Sequence, residues 1–357
     1  MLKIKEIKMK NKINELAQKN SADNILFTGK AETFYLSAAE FDGFWILALK
    51  DEIYALCSKM TQNQVKEFFS GQDVKIYAGD SLSKSVVEIL KEKRVCVLTV
   101  DSKYMSASDF LLIKSRLEAE NISLFVKHAI TDAIRIVKSA AEIEKLKKAC
   151  SIVSEVCDQI REEVKPGLCE LDIHYRILEL FAKNKVKESF TPIVAAGKNS
   201  ANPHHASSNY KISQNDIIMT DIGCIYEGYC SDLTRTYFLG NINGVQKTVW
   251  DTVKNAQSAA INEIKAGRPI CQADAAARKI IEAAGYKDNF IHTTGHGVGI
   301  EIHEMPSLAA NAEGVFLTHM AVTVEPGIYI EGKFGVRIED TVCVTQSGCE
   351  ILTSAKY

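Results

Sequence analysis

No apolar run in this chain approaches the ~18 to 20 residues that a membrane-spanning helix needs, and the stretch from Leu2 to Asn20 is broken by lysines at close intervals. It therefore lacks the continuous apolar segment of a secretory leader. A disulfide pattern is missing too: ten cysteines occur, none in a CxxC pair and none in a regular framework. A chain of this length does not need covalent staples, so reduced thiols in a cytoplasm are the expectation. Excess charge is absent as well, the formal net charge being −2. No basic surface is forced, and neither nucleic acid nor an anionic membrane is expected as a partner. No internal repeat of solenoid length is visible.

What is present is an ordinary globular composition, 357 residues with 46% hydrophobic and 25% charged, long enough for two domains. Leu2, Ile4, Ile7, Ile13 and Leu16, interspersed with lysines, read as a helix packed on its own domain rather than on a membrane surface. From Asp23 to about Val126, short strands alternate with helices. Strands are expected over 25–27, 44–49, 53–56, 74–77, 95–98 and 122–125, with Lys50 to Glu52 turning a hairpin. Helices are expected over 61–69, 82–91 and 108–118. This small α/β domain holds no glycine-rich phosphate loop and no cluster of His, Asp and Glu, so no chemistry is assigned to it.

A boundary near Ile134 to Ser139 divides the chain into residues 1–133 and 134–357. Ser139 and Glu142 form a capping box, which satisfies free amides at a helix start. The helix that follows shows Ile143, Leu146, Ala149, Val153, Cys157 and Ile160 on one face. A second, 171–183, carries Tyr175, Leu178 and Phe181 at helical spacing, and two more are expected over 245–266 and 273–284. Helix pair, strand pair, helix pair, strand pair is the order, which fits a duplicated α+β domain with helices covering one sheet.

The strand pairs carry the chemistry. Ile217 to Met219 reads as a buried strand, Gly223 to Gly228 supplies turn residues, and Leu233, Arg235 and Tyr237 resume strand alternation. That hairpin would set Asp221 beside Asp232. Nearer the carboxyl end, 321–326 and 336–344 place Glu325 and Glu339 on two further apolar strands. Between the pairs lies His296, in the glycine-rich segment 294–299. Buried carboxylates repel and are costly to ionise, so a cation is expected between them. Two Asp, one His and two Glu make a hard, oxygen-rich donor set suited to manganese, with cobalt, zinc or iron as alternatives. Cys224 and Cys230 flank the first pair and are read as packing residues.

In the order Asp221, Asp232, His296, Glu325, Glu339, with contexts TDIG, SDLTRT, TGHGVG, VEPG and RIEDT, the sequence resembles the pita-bread metallopeptidases, which include methionine aminopeptidase, aminopeptidase P and prolidase. The resemblance implies a C-terminal pita-bread domain after a smaller creatinase-N-type α/β domain that helps to dimerise and to wall off the site. It implies two divalent metal ions, with Asp221 on one, His296 and Glu325 on the other, and Asp232 and Glu339 bridging. Glu325 is the implied proton acceptor, with few other partners. His204, directly after Pro203, matches the family's substrate-facing histidine, while His205 matches a position without a role. His303 matches the histidine that supports the scissile carbonyl or oxyanion. His292, four residues before His296, would share a face with it on a strand and line the leaving-group side. Arg337, two residues before Glu339, is expected to hold the metal carboxylates in place.

The implied activity is metal-assisted hydrolysis of the bond between an N-terminal residue and proline, by a homodimer. Segments 193–197 and 297–306 resemble the proline-selective branch. Prolidases often use an arginine to recognise a dipeptide's carboxylate, and Ser307 is not one, which leaves dipeptides and longer peptides both open. The rivals are a methionine-aminopeptidase-like or creatinase-like hydrolase and a catalytically silent binding protein. The complete ligand set, with His204 and His303, opposes the creatinase-like and silent readings.

Overall fold

The computed structural model describes residues 2–357, with side chains from residue 9 onward. The chain divides into two compact units, Met1–Ile134 and Arg135–Tyr357.

The first unit is built on a six-stranded mixed sheet, ordered Lys75–Gly79, Ile53–Ser58, Phe44–Ala48, Ile25–Phe27, Val97–Asp101, Ser123–Lys127. Leu26, Leu47, Leu56, Leu98 and Val100 pack with Val86, Leu90, Ile113 and Leu117 from the Leu82–Glu92 and Ala107–Ala119 helices. The hairpin at 50–52 forms, Leu49 N donating to Glu52 O. A Lys30–Ser37 helix lies where no helix was expected, because Glu32, not an apolar stripe, starts it by accepting from the amides of Thr28 and Gly29. In the first helix, Leu2–Asn20, Met9, Ile13 and Leu16 are buried at helical spacing, whereas the side chains of Leu2, Ile4 and Ile7 lie outside the described residues. No helix among the described residues is long and apolar enough to cross a membrane.

The second unit contains two principal sheets where one was expected. A three-stranded sheet runs Leu233–Phe238, Ile217–Ile222, Ile193–Ala196. A five-stranded one runs Glu304–Leu308, Gly295–Gly297, Ala321–Val324, Asp340–Val344, Cys349–Ile351. Each has its own helix pair. Val153, Ile160, Ile177 and Phe181, from Ala140–Glu163 and Glu170–Lys183, pack on Val194, Ile218, Ile222 and Leu233. Val253, Ala256, Ala277 and Ile281, from Gly244–Glu263 and Cys271–Ala283, pack on Val322, Val324, Val342 and Val344. Tyr175 is not part of the first face but 64% exposed, since Ile173, Ile177 and Leu180 already fill the helical stripe.

Strand periodicity then places the chemistry. With Ile218, Ile222 and Leu233 turned to one helix pair, and Val322, Val324, Val342 and Val344 to the other, the intervening positions face the opposite way. Those positions are Asp221, Thr234, Thr323 and Thr341, with Asp232, Glu325 and Glu339 in the same register just beyond strand ends. The expected 336–344 strand is in fact broken at Ile338 and Glu339. Phe334–Arg337 pairs with Gly327–Ile330 in a separate hairpin, and Asp340–Val344 joins the large sheet.

Candidate metal centre and active site

Asp221 lies directly opposite Thr234 in the antiparallel pair of Ile217–Ile222 and Leu233–Phe238. A small inner hairpin, Cys224–Tyr226 with Tyr229–Cys230, separates the two aspartates in sequence and returns the chain. Its two-residue turn needs φ of 45° at Glu227 and 82° at Gly228, the left-handed pair that matches strand twist. Glycines permit close approach elsewhere: a Cβ on Gly295 would stand 2.0 Å from Thr323 O, and one on Gly297 2.2 Å from Met305 O. His296 sits between them. Cys224 and Cys230 are buried and unpaired, hydrogen-bonded to Ala149 O and Ile300 O.

The side chains converge. One ligand atom from each of Asp232, His296 and Glu339 lies within 4.8 Å of the others. His296 Nε2 is 3.2 Å from Glu325 Oε1 and 3.6 Å from Asp232 Oδ2. Nδ1 of His296 donates to Gly297 O at 3.0 Å, which aims Nε2 at the carboxylates as in a metal-ligating histidine. Asp221, Asp232, Glu325 and Glu339 all line the same cavity of about 560 Å³.

Electrostatically this cluster is frustrated. Burial, then the charge of Asp221, pushes the Asp232 carboxyl well above its usual range, and burial, then Asp232, does the same to Glu339. Asp221 is raised less, because Arg337 opposes its burial. Burial works against ionisation of Glu325 and of His296, yet their mutual attraction outweighs it, holding Glu325 at about 2 and lifting His296 to about 9. Asp221 Oδ1 and Glu339 Oε1 are buried with no hydrogen-bond partner among the described residues. Orphaned oxygens among mutually repelling carboxylates fit divalent cations.

Threonines on the same strand faces orient these groups. Thr234 Oγ1 donates to Glu339 Oε2 at 2.8 Å, and Thr323 Oγ1 donates to Glu325 Oε1 at 3.1 Å. Glu325 is thus better supplied with partners than the sequence reading held. Arg337 Nη2 donates to Asp221 Oδ2 at 2.6 Å, its Nε to Thr234 Oγ1 at 3.1 Å and its Nη1 to Tyr329 Oη at 2.8 Å. Tyr329 in turn lies 2.9 Å from Nε2 of His292, whose Nδ1 donates to Thr293 O at 2.8 Å. Burial pushes the His292 imidazole down, so its Nε2 accepts the phenolic hydrogen. His292 precedes the short Gly295–Gly297 strand instead of lying on it, and both histidines still line the cavity.

His303 and His204 also line it, both exposed. The His303 ring stacks edge-on against His296, centroids 4.4 Å apart. Tyr329, Thr234 and Thr323 were missed in the sequence. For the threonines the signal was there, since each stands two residues from a carboxylate and so shares its strand face.

Comparison with known proteins agrees with this geometry. Residues 144–346 match the model of metallopeptidase family M24. The chain is 33% identical over 356 residues to the Xaa-Pro dipeptidase of Pyrococcus furiosus, covering 98% of this chain and 99% of that one. It is 33% identical over 341 residues to a putative Xaa-Pro aminopeptidase of Mycoplasma genitalium, covering 93% and 92%. Among solved structures, the Xaa-Pro dipeptidase from Bacillus anthracis superimposes with a TM-score of 0.92 at 32% identity, covering 98% of both chains. With paired carboxylates on a duplicated helix and sheet framework, and this likeness along nearly its full length, the chain belongs to metallopeptidase family M24 and has the pita-bread fold.

Proposed function

We propose that this protein is a two-metal exopeptidase that hydrolyses the bond between an N-terminal residue and a proline in second position. The observation carrying the reading is the convergence of Asp221, Asp232, His296, Glu325 and Glu339 on one cavity, in a chain whose full-length relatives are named for Xaa-Pro substrates. These five residues would hold two divalent ions, manganese suiting the carboxylate-rich set, with cobalt, zinc or iron as alternatives. When bound, such ions act as Lewis acids and make water a nucleophile near neutral pH.

The chain's own groups do the rest. Glu325 takes up a proton and passes it to the leaving nitrogen. His303, beside His296, supports the oxyanion. His292 lines the leaving-group side, and His204 meets the peptide as it enters. Arg337 holds Asp221 in register. Phe190, Pro192 and Ile302 supply apolar wall suited to a pyrrolidine ring. The protein is read as a cytoplasmic homodimer, and sedimentation of the purified protein tests the dimer.

The decisive experiment is metal analysis of the purified protein together with release of free amino acid from Ala-Pro and from Ala-Pro-Ala in added manganese. Hydrolysis of either peptide supports the reading, and the preferred one separates dipeptidase from aminopeptidase. Hydrolysis of neither, with metal bound, overturns the substrate assignment.

A further inference from the structure

Glu170 is completely buried at the start of the Glu170–Lys183 helix, and the His205 imidazole lies against its carboxylate. Both oxygens are fully engaged. Oε1 accepts from Ala196 N at 2.8 Å and Asn199 Nδ2 at 2.9 Å. Oε2 accepts from Ser208 N at 3.0 Å and Ser208 Oγ at 2.7 Å, and lies 2.7 Å from Nε2 of His205. Burial pushes the Glu170 carboxyl up, but the hydrogen bonds from Asn199, Ala196, His205 and Ser208 together bring it below its ordinary value. Such a group is a pure acceptor, so the hydrogen of the contact sits on Nε2 of His205.

That assignment leaves Nδ1 as the ring nitrogen without a hydrogen bond among the described residues, on a side chain that is 15% exposed and lines the cavity. The adjacent His204 lines the same cavity, but its side chain makes no hydrogen bond among the described residues. The two imidazoles therefore differ in preparation. Binding to His204 must freeze a free side chain, whereas binding to His205 meets a ring already fixed, and a fixed partner costs less to engage.

We propose that Glu170 is a positioning residue that acts through His205, and that Nδ1 of His205 is a hydrogen-bonding contact for the backbone of the bound peptide. The ligand rests on the Xaa-Pro reading above, but the pair itself does not.

Two measurements test it. In steady-state hydrolysis of Ala-Pro-Ala, His205→Ala is expected to raise KM about tenfold, the equivalent of ~1.4 kcal/mol, with kcat within about threefold. Glu170→Gln is expected to raise KM similarly, and the double variant to be no worse than His205→Ala alone, the signature of one residue acting through another. Losses that add, or an unchanged KM in His205→Ala, overturn the proposal. His205→Ala leaves the other donors to Glu170 in place, so it decides the peptide contact even where Glu170→Gln fails to fold. The second measurement is the ¹⁵N spectrum of labelled histidine, with the His205 signal identified by its loss in His205→Ala. A hydrogen on Nε2 in the wild type supports the pair, and one on Nδ1 alone overturns it. If the wild type cleaves neither Xaa-Pro peptide, the substrate reading falls and the tautomer still decides whether the pair exists.

Discussion

Arg337 and Asp221 are joined by a 2.6 Å contact, and the same guanidinium reaches Thr234, Tyr329 and Pro203 O. A planar, forked cation can serve these partners at once, whereas an ammonium cannot. Arg337→Lys is therefore expected to weaken divalent-metal binding by about 10- to 100-fold, the usual scale for groups that orient metal ligands. Competition with a fluorescent chelator measures it. Unchanged affinity would show that Asp221 needs no such support.

The metal-free site is self-repelling, which gives Glu339 a role that changes sign with metal. Replacing it by glutamine removes a carboxylate that burial and Asp232 both disfavour, while the amide can still accept from Thr234. In excess chelator Glu339→Gln should melt higher than the wild type. In manganese the order should reverse, because the wild type gains ~2.7 kcal/mol at a free ion concentration of about 100 Kd and the variant loses a ligand. Thermal melts with chelator and with manganese check both halves. Equal stabilisation of the two proteins by manganese would contradict the ligand assignment.

Glu325 lies beside His296 and accepts from Thr323, so its carboxylate is oriented before substrate arrives. As the proton acceptor it should be worth at least ~10²-fold in rate. Glu325→Gln is expected to lower kcat by that factor on the best peptide, with metal content measured on the same sample. Near-normal turnover would remove the assignment.

The ligand set was legible in the sequence because each carboxylate ends or precedes an apolar run, and buried carboxylates in apolar runs call for a cation. The helix pairs were legible from their spacing. What failed was anything set by tertiary context. Tyr175 has the right spacing and still faces solvent, because Ile173 and Ile177 fill the stripe beside it. Residues 336–344 look like one strand, yet the chain leaves one sheet for another at Ile338 and Glu339, and that break puts Glu339 at the centre. Glu170 and Glu304 carry no local signal at all. The partners of Glu170 and the cations paired with Glu304 stand 26 to 169 residues away, and only folding brings them together.

Glu304 follows His303 and shows what such a partner is worth. Its side chain, 6% exposed, pairs with Lys138 Nζ at 3.1 Å and with Arg135, whose side chains are 2% and 3% exposed. It also accepts from the amides of Ile300 and Glu301, fixing the loop that carries His303. Gly299 is part of the same arrangement, since a Cβ there would stand 2.5 Å from Glu304 Oε2. Burial pushes the Glu304 carboxyl up, but Lys138 and then Arg135 outweigh it and hold it below the ordinary value of 4.5. A folded-state value below the unfolded one means that the contribution to stability is complete above about pH 4.5 and drains away as pH falls through the lower folded value. Glu304→Gln leaves Lys138 buried without its carboxylate, a change that typically costs about 3 to 5 kcal/mol. The variant is expected to lose that much near pH 7, and its gap to the wild type is expected to narrow as the medium is acidified below about pH 4.5. Denaturant unfolding from pH 7 to pH 3 measures the gap. A gap that stays constant across that range would mean that the carboxylate's charge is not what holds the His303 loop in place.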